Sequence, residues 1–547
     1  MTGTPRVNGR YDRLLTVASL LIVAAYVIYA AVFIHVPVVN NDEVWMLTRG
    51  EHLSRTGVVA EPTMSEQVSP FFANLFSASA AGPISGYVYY GTLAMGFLLN
   101  DADPVTAYRF LMLLWSIVVV VMTYAVARAL GIDRVSSLVS LAWLVVVPEF
   151  VGQAHCERFE MLLALGVLCG ALLMLKAFQA KEPTARRMWL AAAALFAWMP
   201  AIFIHYSGIC LPAVLAAMYI AHDWRKLWSI EALILAILLV PGMLLFADLV
   251  LAPAKLTGGV FGLTFVGPPI LSKSLWYFIK TPLHLFERMQ AINVTSRMVS
   301  SLWFVLSIAA AVWLWRRPER RIVTIVATVV LATIASLVLA SGSTGPYVII
   351  VAPWAAIMLG LATKAFVEKF EARRTGVVAF IVVPTAIFCS NLIGLGFYSE
   401  QKQVFAKLQS DVARVVPPGK SVLAQPLYYL ALRPRPFTAS VWTSAFSGRP
   451  DQSFEQGVAI SGSEYLVIDE LMVAMALKGA RDSTWMADMM RFLETKCVLV
   501  EKIQTHYTNA TTRIAGTLNY PAPWSPIDPG FIQRVYIYRV LQKEQTL

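Results

Sequence analysis

The chain has little charge for its length. Of its 547 residues only 14% are Asp, Glu, Lys or Arg, whereas 58% are hydrophobic and the mean hydropathy is +0.64. Ordinary soluble proteins are about half apolar and about a quarter charged. A chain with so few charges cannot cover a soluble surface, so we expect it to lie in a membrane. The composition excludes a disordered or collagen-like chain and argues against nucleic-acid binding as the reason for the net charge of +11.

Cysteine is also scarce. The five cysteines are scattered, most of them within or beside apolar segments, and their spacing is not that of metal ligands. We interpret them as small buried hydrophobic residues. The sequence also lacks a P-loop, a His-Glu-x-x-His pair and a Gly-x-Ser-x-Gly turn, which excludes common classes of ATP-driven protein, metalloprotease and serine hydrolase.

Long apolar segments make up most of the chain. A transmembrane helix needs about 20 mainly apolar residues, and about eleven segments are predicted as spans on that basis. They cover residues 14–36, 105–129, 135–151, 158–176, 188–204, 206–221, 228–250, 298–315, 322–340, 346–363 and 376–397. We therefore expect a polytopic α-helical membrane protein whose first segment is a retained anchor.

The positions of the basic residues support this count. Arg6, Arg10 and Arg13 precede the first span, and if the spans alternate, five further groups of Lys and Arg fall on the same side. Those groups lie within residues 128–134, 176–187, 225–226, 316–321 and 364–374. The positive-inside rule then predicts a cytoplasmic N-terminus and, with an odd number of spans, an external C-terminal segment. The expected location is a bacterial inner membrane.

Three regions are predicted on the outer side: a first loop over residues 37–104, a second over 252–296, and a tail over 398–547. The tail is less apolar and alternates strand and helix patterns. Its predicted strands are 421–425, 465–469, 497–502 and 535–540, and its predicted helices are 427–432 and 483–495. We divide the chain into a transmembrane domain, 1–397, and a small extracytoplasmic α/β domain, 398–547. The second domain is expected to cover the site or present the acceptor, but not to carry the catalytic base.

Ionisable residues at the predicted outer boundary are the candidates for chemistry, because charge is costly near hydrocarbon. Asp42 and Glu43 follow the first span. Two interpretations of Asp42 stay open: a catalytic carboxylate, or the cap of a helix that begins at Val44. Arg158 and Glu160 begin the fourth span. Acids suit a helix N-terminus, whereas a cation there opposes the helix dipole and suggests an anionic partner.

Further candidates lie in the turns and loops of the same side. His205 and Tyr206 lie between two short predicted spans, where His205 is either a structural histidine or a ligand contact. Arg109 lies at the outer end of the second span, against the positive-inside trend, and either contacts an anion or snorkels. Lys273 and Arg288 belong to a basic set in the second outer loop, where water or lipid headgroups would satisfy them.

Asp101-Ala102-Asp103 has the Asp-x-Asp form found in nucleotide-sugar enzymes. It lies at a predicted helix start, where Asp103 is expected to be the N-cap and Pro104 the first-turn proline. It also lies on the side of the membrane where nucleotides are not expected. We therefore interpret it as a structural element.

Several segments, in this order, resemble the polytopic GT-C glycosyltransferases. They are NNDEVWMLTRGEHLSRTG, YRFLMLLWSIVVVVMTYAVARALG, CERFEMLLALGVL, IHYSGICLPAV and GPYVIIVAPWAAIMLGL. The nearest resemblance is to the group of protein mannosyltransferases, lipid A aminoarabinose transferases and rhizobial galacturonosyltransferases. It covers residues 10–230 well and the later spans loosely. In one departure, many relatives carry Arg before the late tyrosine, whereas Gly345-Pro346 precede Tyr347 here.

The resemblance implies a hexosyl- or pentosyltransferase that moves a sugar from a polyprenyl phosphate to an acceptor hydroxyl outside the cytoplasm, with inversion. The acceptor would be a glycolipid, a polysaccharide or a protein. Asp42 would be the general base and Glu43 an orienting carboxylate, and Glu160 would hold an arginine or contact the sugar. The phosphate contacts would be Arg109, Arg158 and His205. A single divalent ion at the carboxylates stays open as a cofactor.

Two alternatives from other classes also stay open. An O-antigen polymerase or ligase uses lipid-linked sugars on the same face, but it is not expected to carry the Asp42-Glu43 loop. A transporter of lipid-linked or small solutes would place ionisable residues near the middle of the membrane, within broken and repeated helices. Here Glu231 and Asp248 lie near the ends of their span.

Overall fold

The computed structural model describes residues 9–32, 34–35, 41–59, 63, 86–147, 150, 159–204, 208, 210–251, 294–341, 348–369, 401–440, 453–470, 484–507 and 533–541. The helices before residue 370 form a bundle. The residues after 400 form an α/β unit, called the C-terminal unit below, which packs on one end of that bundle.

The bundle helices follow the apolar segments of the sequence. Two of them begin at aspartate caps: Asp103 accepts from the Thr106 N–H and Asp133 from the Ser136 N–H, so the predicted cap at Asp103 is confirmed. The helices are α1 Gly9–Val32, α2 Asn41–Thr56, α3 Tyr87–Leu99, α4 Pro104–Ala129, α5 Arg134–Val145, α6 Phe159–Gln179, α7 Pro183–Phe196, α8 Met199–Phe203, α9 Cys210–Asp223, α10 Ile230–Leu251, α11 Val294–Leu314, α12 Arg320–Ser341 and α13 Val348–Lys369.

Ten of the predicted spans overlap these helices, and the last, 376–397, lies outside the described residues. Within the described part of the chain, three helices are long and apolar enough to cross a membrane: α4, α6 and the segment Ile349–Phe366 of α13. Shorter apolar helices accompany them. The high helix content agrees with a polytopic membrane protein, while the number of eleven spans stays a prediction.

Three helices lie where the sequence predicts two short spans. α7 and α9 have 14 residues each, which corresponds to a length of about 21 Å. Between them lies the five-residue α8, which carries Pro200. The sequence treated α7 and α8 as one span, 188–204, whereas together they cover residues 183–203, so the shortness of the pair stays a prediction.

A five-stranded sheet forms the C-terminal unit. Its order is β2-β1-β3-β5-β4; β1 runs parallel to β2 and β3, and β5 runs antiparallel to β3 and β4. The strands are β1 Val422–Ala424, β2 Phe437–Ala439, β3 Tyr465–Asp469, β4 Cys497–Thr505 and β5 Gln533–Val540. The helices are α14 Gln401–Val415, α15 Tyr429–Leu432, α16 Phe454–Ser461 and α17 Thr484–Lys496, with a 3-10 turn at Pro426–Tyr428.

The predicted strands and helices of the tail are confirmed by these elements. Three elements were missed: β2, which has three residues, and the helices α14 and α16. β2 has only three residues and carries little alternation, and β1, which is equally short, was predicted within the longer apolar run 421–425. The boundary between residues 397 and 398 stays a prediction.

The C-terminal unit packs where α1 ends and α2 and α4 begin, which we call the docking end. The Pro426–Tyr428 turn and α15 lie against α2. Lys402 Nζ of α14 lies 3.6 Å from Asp103 Oδ2 and 3.2 Å from His35 Nε2. Lys402 therefore contacts both the cap of α4 and the residues that follow α1.

α2 packs closely on α3, and a glycine permits this contact. A Cβ at Gly50 would lie 2.5 Å from Leu93 Cβ and 3.0 Å from the Leu93 carbonyl carbon, which is backbone and cannot move alone. Gly91 of α3 has nothing within 4 Å of the same position. The two glycines therefore differ in what an added methyl group would meet.

We expect Gly50→Ala to displace α2 and to destabilise the fold by about 1–3 kcal/mol, the usual cost of overpacking. Gly91→Ala is the matched control and should be neutral or slightly stabilising, because Ala favours helix by about 1 kcal/mol over Gly. Thermal unfolding of the purified variants in detergent measures the difference. Equal melting temperatures for the two variants would contradict the close contact of α2 with α3.

Candidate active site

A buried ion pair lies at the docking end. Glu43 of α2 is 1% exposed and Arg109 of α4 is fully buried. Arg109 Nε donates to Glu43 Oε1 at 2.8 Å, and Nη2 donates to Oε2 at 2.8 Å. The Tyr108 hydroxyl also donates to Oε1, and Arg109 Nη1 donates to the Ile34 carbonyl at 2.9 Å. One guanidinium therefore joins the end of α1, the start of α2 and the first turns of α4.

This arrangement satisfies the main requirements for burying two charges. Removing a carboxylate and a guanidinium from water is expensive, and their attraction offsets the cost only with good geometry and further hydrogen bonds. Here the pair is bidentate, the strongest form of a charge-assisted contact. The sequence placed Arg109 at a phosphate, but the structure places all three of its nitrogens against protein acceptors.

The C-terminal unit reaches this ion pair through Tyr507. Tyr507 is fully buried, and its ring centroid lies 5.0 Å from that of Phe405 in α14. Burial raises the pKa of Tyr507, and the charge of Glu43 raises it further while Arg109 opposes the shift. These charge effects require Tyr507 to lie near the Glu43–Arg109 pair. The C-terminal unit thus contacts this part of the bundle, while the roles expected for it, covering the site or presenting the acceptor, stay predictions.

Asp42 lies in the first turn of α2, next to Glu43. The helix begins at Asn41, three residues earlier than the capping interpretation placed it, so Asp42 lies within the helix. Successive helical residues differ by about 100° in direction, as expected for Asp42 and Glu43. An acidic residue in this turn is favoured by the positive end of the helix dipole. The side chain of Asp42 lies outside the described part of the structure.

Arg49 belongs to the same face of α2, seven residues after Asp42, and the sequence analysis missed it. Arg49 Nη1 donates to the Tyr90 hydroxyl at 2.6 Å. Its guanidinium carbon lies 5.2 Å from the Trp45 ring centroid and 5.7 Å from that of Tyr90. The spacing of Asp42, Trp45 and Arg49 at i, i+3 and i+7 was the available signal, because such residues share a helix face.

The starts of α3 and α6 meet the end of α8 beside this face. The Tyr89 ring contacts Phe159 edge-to-face at 6.0 Å, and the Gly86 N–H donates to the Ile202 carbonyl at 3.0 Å. Glu160, in the first turn of α6, is fully buried. The structure therefore brings together the ends of α2, α3, α6 and α8.

Other predicted site residues lie outside the described part of the chain, and their roles stay predictions. They are Arg158, His205, Tyr206, Lys273, Arg288 and Tyr347. Among the residues that the structure does describe, no group of three His, Cys, Asp or Glu side chains could hold a metal ion.

Solved structures share this architecture. The crystal structure of ArnT, an aminoarabinose transferase from Cupriavidus metallidurans, bound to undecaprenyl phosphate, is 15% identical and has a TM-score of 0.55. The likeness covers 95% of this chain and 98% of that one. The same protein in its apo state gives a TM-score of 0.53 at 15% identity, over 85% and 94% of the two chains. The chain shares the GT-C fold of ArnT.

The resemblance to GT-C proteins is thus confirmed for the fold, and at this identity the ArnT likeness concerns the fold alone. An oligosaccharyltransferase from Archaeoglobus fulgidus in its apo form has a TM-score of 0.45 at 12% identity, over 84% of this chain and 70% of that one. No protein-family model matches the sequence, and no curated protein matches it.

Within the ArnT-like fold, the Glu43–Arg109 pair predicts a strong and non-additive effect on stability. Glu43→Gln or Arg109→Gln leaves one buried charge without its partner, which typically costs about 3–5 kcal/mol. The double variant should cost much less than the sum of the two, because no lone charge remains. Denaturant unfolding in detergent measures all three variants.

Glu501→Gln is the control for this experiment. It breaks the exposed contact of Arg414 with Glu501, 3.0 Å long, and should cost at most about 1 kcal/mol. Additive effects of the two buried substitutions would show that Glu43 and Arg109 are not coupled.

Proposed function

We propose that the chain is a membrane glycosyltransferase that moves a sugar from a polyprenyl-phosphate donor to an acceptor hydroxyl at the docking end. The observation that carries the proposal is the fold, which matches ArnT over nearly the whole of both chains, and ArnT binds undecaprenyl phosphate. Asp42, the carboxylate that the sequence resemblance marks as the base, begins the helix anchored by the buried ion pair. The acceptor is a glycolipid, a polysaccharide or a protein.

Asp42 acts as the general base in this proposal. It takes the proton from the acceptor hydroxyl, whose oxygen attacks the anomeric carbon of the sugar. The bond from that carbon to the phosphate oxygen breaks, and the polyprenyl phosphate leaves with the electron pair. A single displacement inverts the anomeric centre. Cations that face the phosphate stabilise the charge that develops on it.

Glu43 and Arg109 hold the base in place. Their contacts join α2 to the end of α1 and to α4, so they fix the first turn of α2, in which Asp42 lies. We therefore assign Arg109 to positioning, in place of the phosphate contact expected from the sequence. Glu43 retains the orienting role expected for it.

The phosphate needs other cations. Arg49 is half-buried, shares the face of Asp42 and presents a planar guanidinium that suits phosphate. Arg158 precedes Phe159 in the sequence and His205 follows Ile204, so both belong to segments that adjoin the described site. The set of proposed donor contacts is completed by Lys273, Arg288, Tyr206 and Tyr347. Glu160 is proposed to contact the sugar or an arginine.

The proposed membrane setting follows from the same elements. The donor is a lipid, so it reaches the site through the bilayer around the apolar helices. We propose that the docking end is the periplasmic side of a bacterial inner membrane, because the basic residues of the sequence concentrate toward the other ends of the spans.

Asp42→Asn tests the proposed function. In a host that lacks the gene, one polyprenyl-phosphate sugar should accumulate, and the wild-type chain should remove it. Asn keeps the size of the side chain but not its proton-accepting charge, so transfer should fall about a hundred- to ten-thousandfold. Mass spectrometry of the lipids measures the accumulation and identifies the donor.

Asp133→Asn is the matched control, because Asp133 caps α5 near the far end of α4. Asn caps about as well as Asp, so this variant should remain active. The capping interpretation predicts that both variants remain active. Near-normal transfer by folded Asp42→Asn would defeat the assignment of the base.

Arg49 provides a second test of the site. We expect Arg49→Ala to lower transfer by weakening contact with the donor phosphate, and Arg49→Lys to recover only part of it, because lysine lacks the forked donors. Steady-state kinetics with a polyprenyl-phosphate sugar measures both variants. Arg491→Ala is the control, since Arg491 is an exposed arginine of α17 that pairs with Asp488 on its own helix. Equal kinetics for Arg49→Ala and Arg491→Ala would remove Arg49 from the site.

A further inference from the structure

Three acidic residues line the docking end of the bundle, and each pairs with a cation of the C-terminal unit. Arg433 Nη1 lies 3.2 Å from Glu51 Oε1 and 2.9 Å from Asp101 Oδ1. Its Nη2 also donates to the Asp101 carbonyl at 2.6 Å. Lys402 pairs with Asp103 at 3.6 Å. The two carboxylates of the Asp-x-Asp segment thus both face the C-terminal unit.

We propose that Arg433 is a positioning residue for sugar transfer, because it fixes the C-terminal half of α2. The C-terminal unit, which carries Arg433, docks on the segment Asp101-Ala102-Asp103. The inference rests on the proposed function. It extends that function by making the C-terminal unit part of the catalytic apparatus.

The contact of Arg433 with Glu51 is stronger than an ordinary surface ion pair, whereas Asp101 is 63% exposed. The Arg433 side chain is 21% exposed and that of Glu51 only 4%, so water screens the contact poorly. The guanidinium also lies over the Phe97 ring, 5.7 Å from its centroid, at the end of α3. One side chain therefore joins α2, the end of α3 and the segment before α4. Lys402 is half exposed, and exposed pairs contribute little.

Arg433 acts on the helix that carries the base. Glu51 lies nine residues after Asp42, about 13 Å along the helix axis. α2 is thus held at its start by Arg109 through Glu43, and near its end by Arg433 through Glu51. Two charged anchors on one short helix, together with its packing on α3, restrict its tilt and rotation more than one anchor would.

Neighbouring contacts support the second anchor. The 3-10 turn at Pro426–Tyr428 and α15 pack on α2 directly before Arg433. Tyr429 lies close to Glu51, since burial and the Glu51 charge both raise the tyrosine pKa. The carboxylate of Glu51 is therefore enclosed by the C-terminal unit and by Arg55 of its own helix, 2.5 Å away.

The test compares Arg433→Ala with Arg414→Ala in the full-length protein. Arg414 pairs with Glu501 inside the C-terminal unit, so it controls for loss of a surface arginine. Arg433→Ala should lower kcat by up to about a hundredfold, as expected for a misplaced catalytic group, with little change in KM for the donor. Arg433→Lys should recover part of kcat. Amide hydrogen exchange over residues 41–56 should rise in Arg433→Ala and not in Arg414→Ala.

Asp101→Asn weakens the same contact from the bundle side and serves as the second variant if Arg433→Ala fails to fold. It should change kcat and amide exchange in the same direction as expected for Arg433→Ala, but by less. Unchanged kcat and unchanged exchange in both Arg433→Ala and Asp101→Asn would overturn the inference. If the wild-type chain itself transfers no sugar, the proposed function fails, and unchanged exchange in the two variants would separately overturn the anchoring of α2 by Arg433.

Discussion

The buried pair of Glu43 and Arg109 is the constraint on which the site depends. Two opposite charges can lie in an apolar interior only if each finds its partners in place, and a displaced helix would leave a charge alone. The partners come from three segments: the carbonyl that follows α1, the start of α2 and the second turn of α4. These three segments can therefore be buried together only in an arrangement that keeps the two charges paired. Apolar contacts alone would fix that arrangement less strictly.

The same constraint explains what the sequence could and could not predict. Apolar runs predicted the bundle helices, because burial in lipid or protein requires only the right residue types over the right length. The partner of Arg109 could not be predicted, since a lone arginine at a helix start is equally compatible with a phosphate or with a carboxylate 66 residues away. Arg49 was missed because the helix face that it shares with Asp42 was not considered.

The two aspartates of the Asp-x-Asp segment make different contacts in this chain. In this chain Asp103 accepts hydrogen bonds from Thr106 and caps α4, while Asp101 faces Arg433. Burial acts to raise the pKa of Asp103, but the Thr106 hydrogen bonds and the Lys402 charge leave that pKa below its usual value. Both carboxylates are thus already paired with groups of this chain. The motif thus caps α4 and contacts the C-terminal unit, whereas its position at a helix start had indicated only the cap.

Asp42 and Glu43 are adjacent in sequence, yet helix geometry gives them separate roles. Side chains of neighbouring helical residues point about 100° apart, so one guanidinium cannot grip both carboxylates. Arg109 binds Glu43, so the negative charge of Glu43 is paired with a positive charge in the interior. A base needs the opposite situation: a carboxylate able to accept a proton from a substrate hydroxyl. Environments that differ between two neighbouring acids are a recurrent way to divide structural and catalytic tasks. By this argument the buried acid Glu43 is the anchor, and its neighbour Asp42 is the carboxylate that we propose as the base.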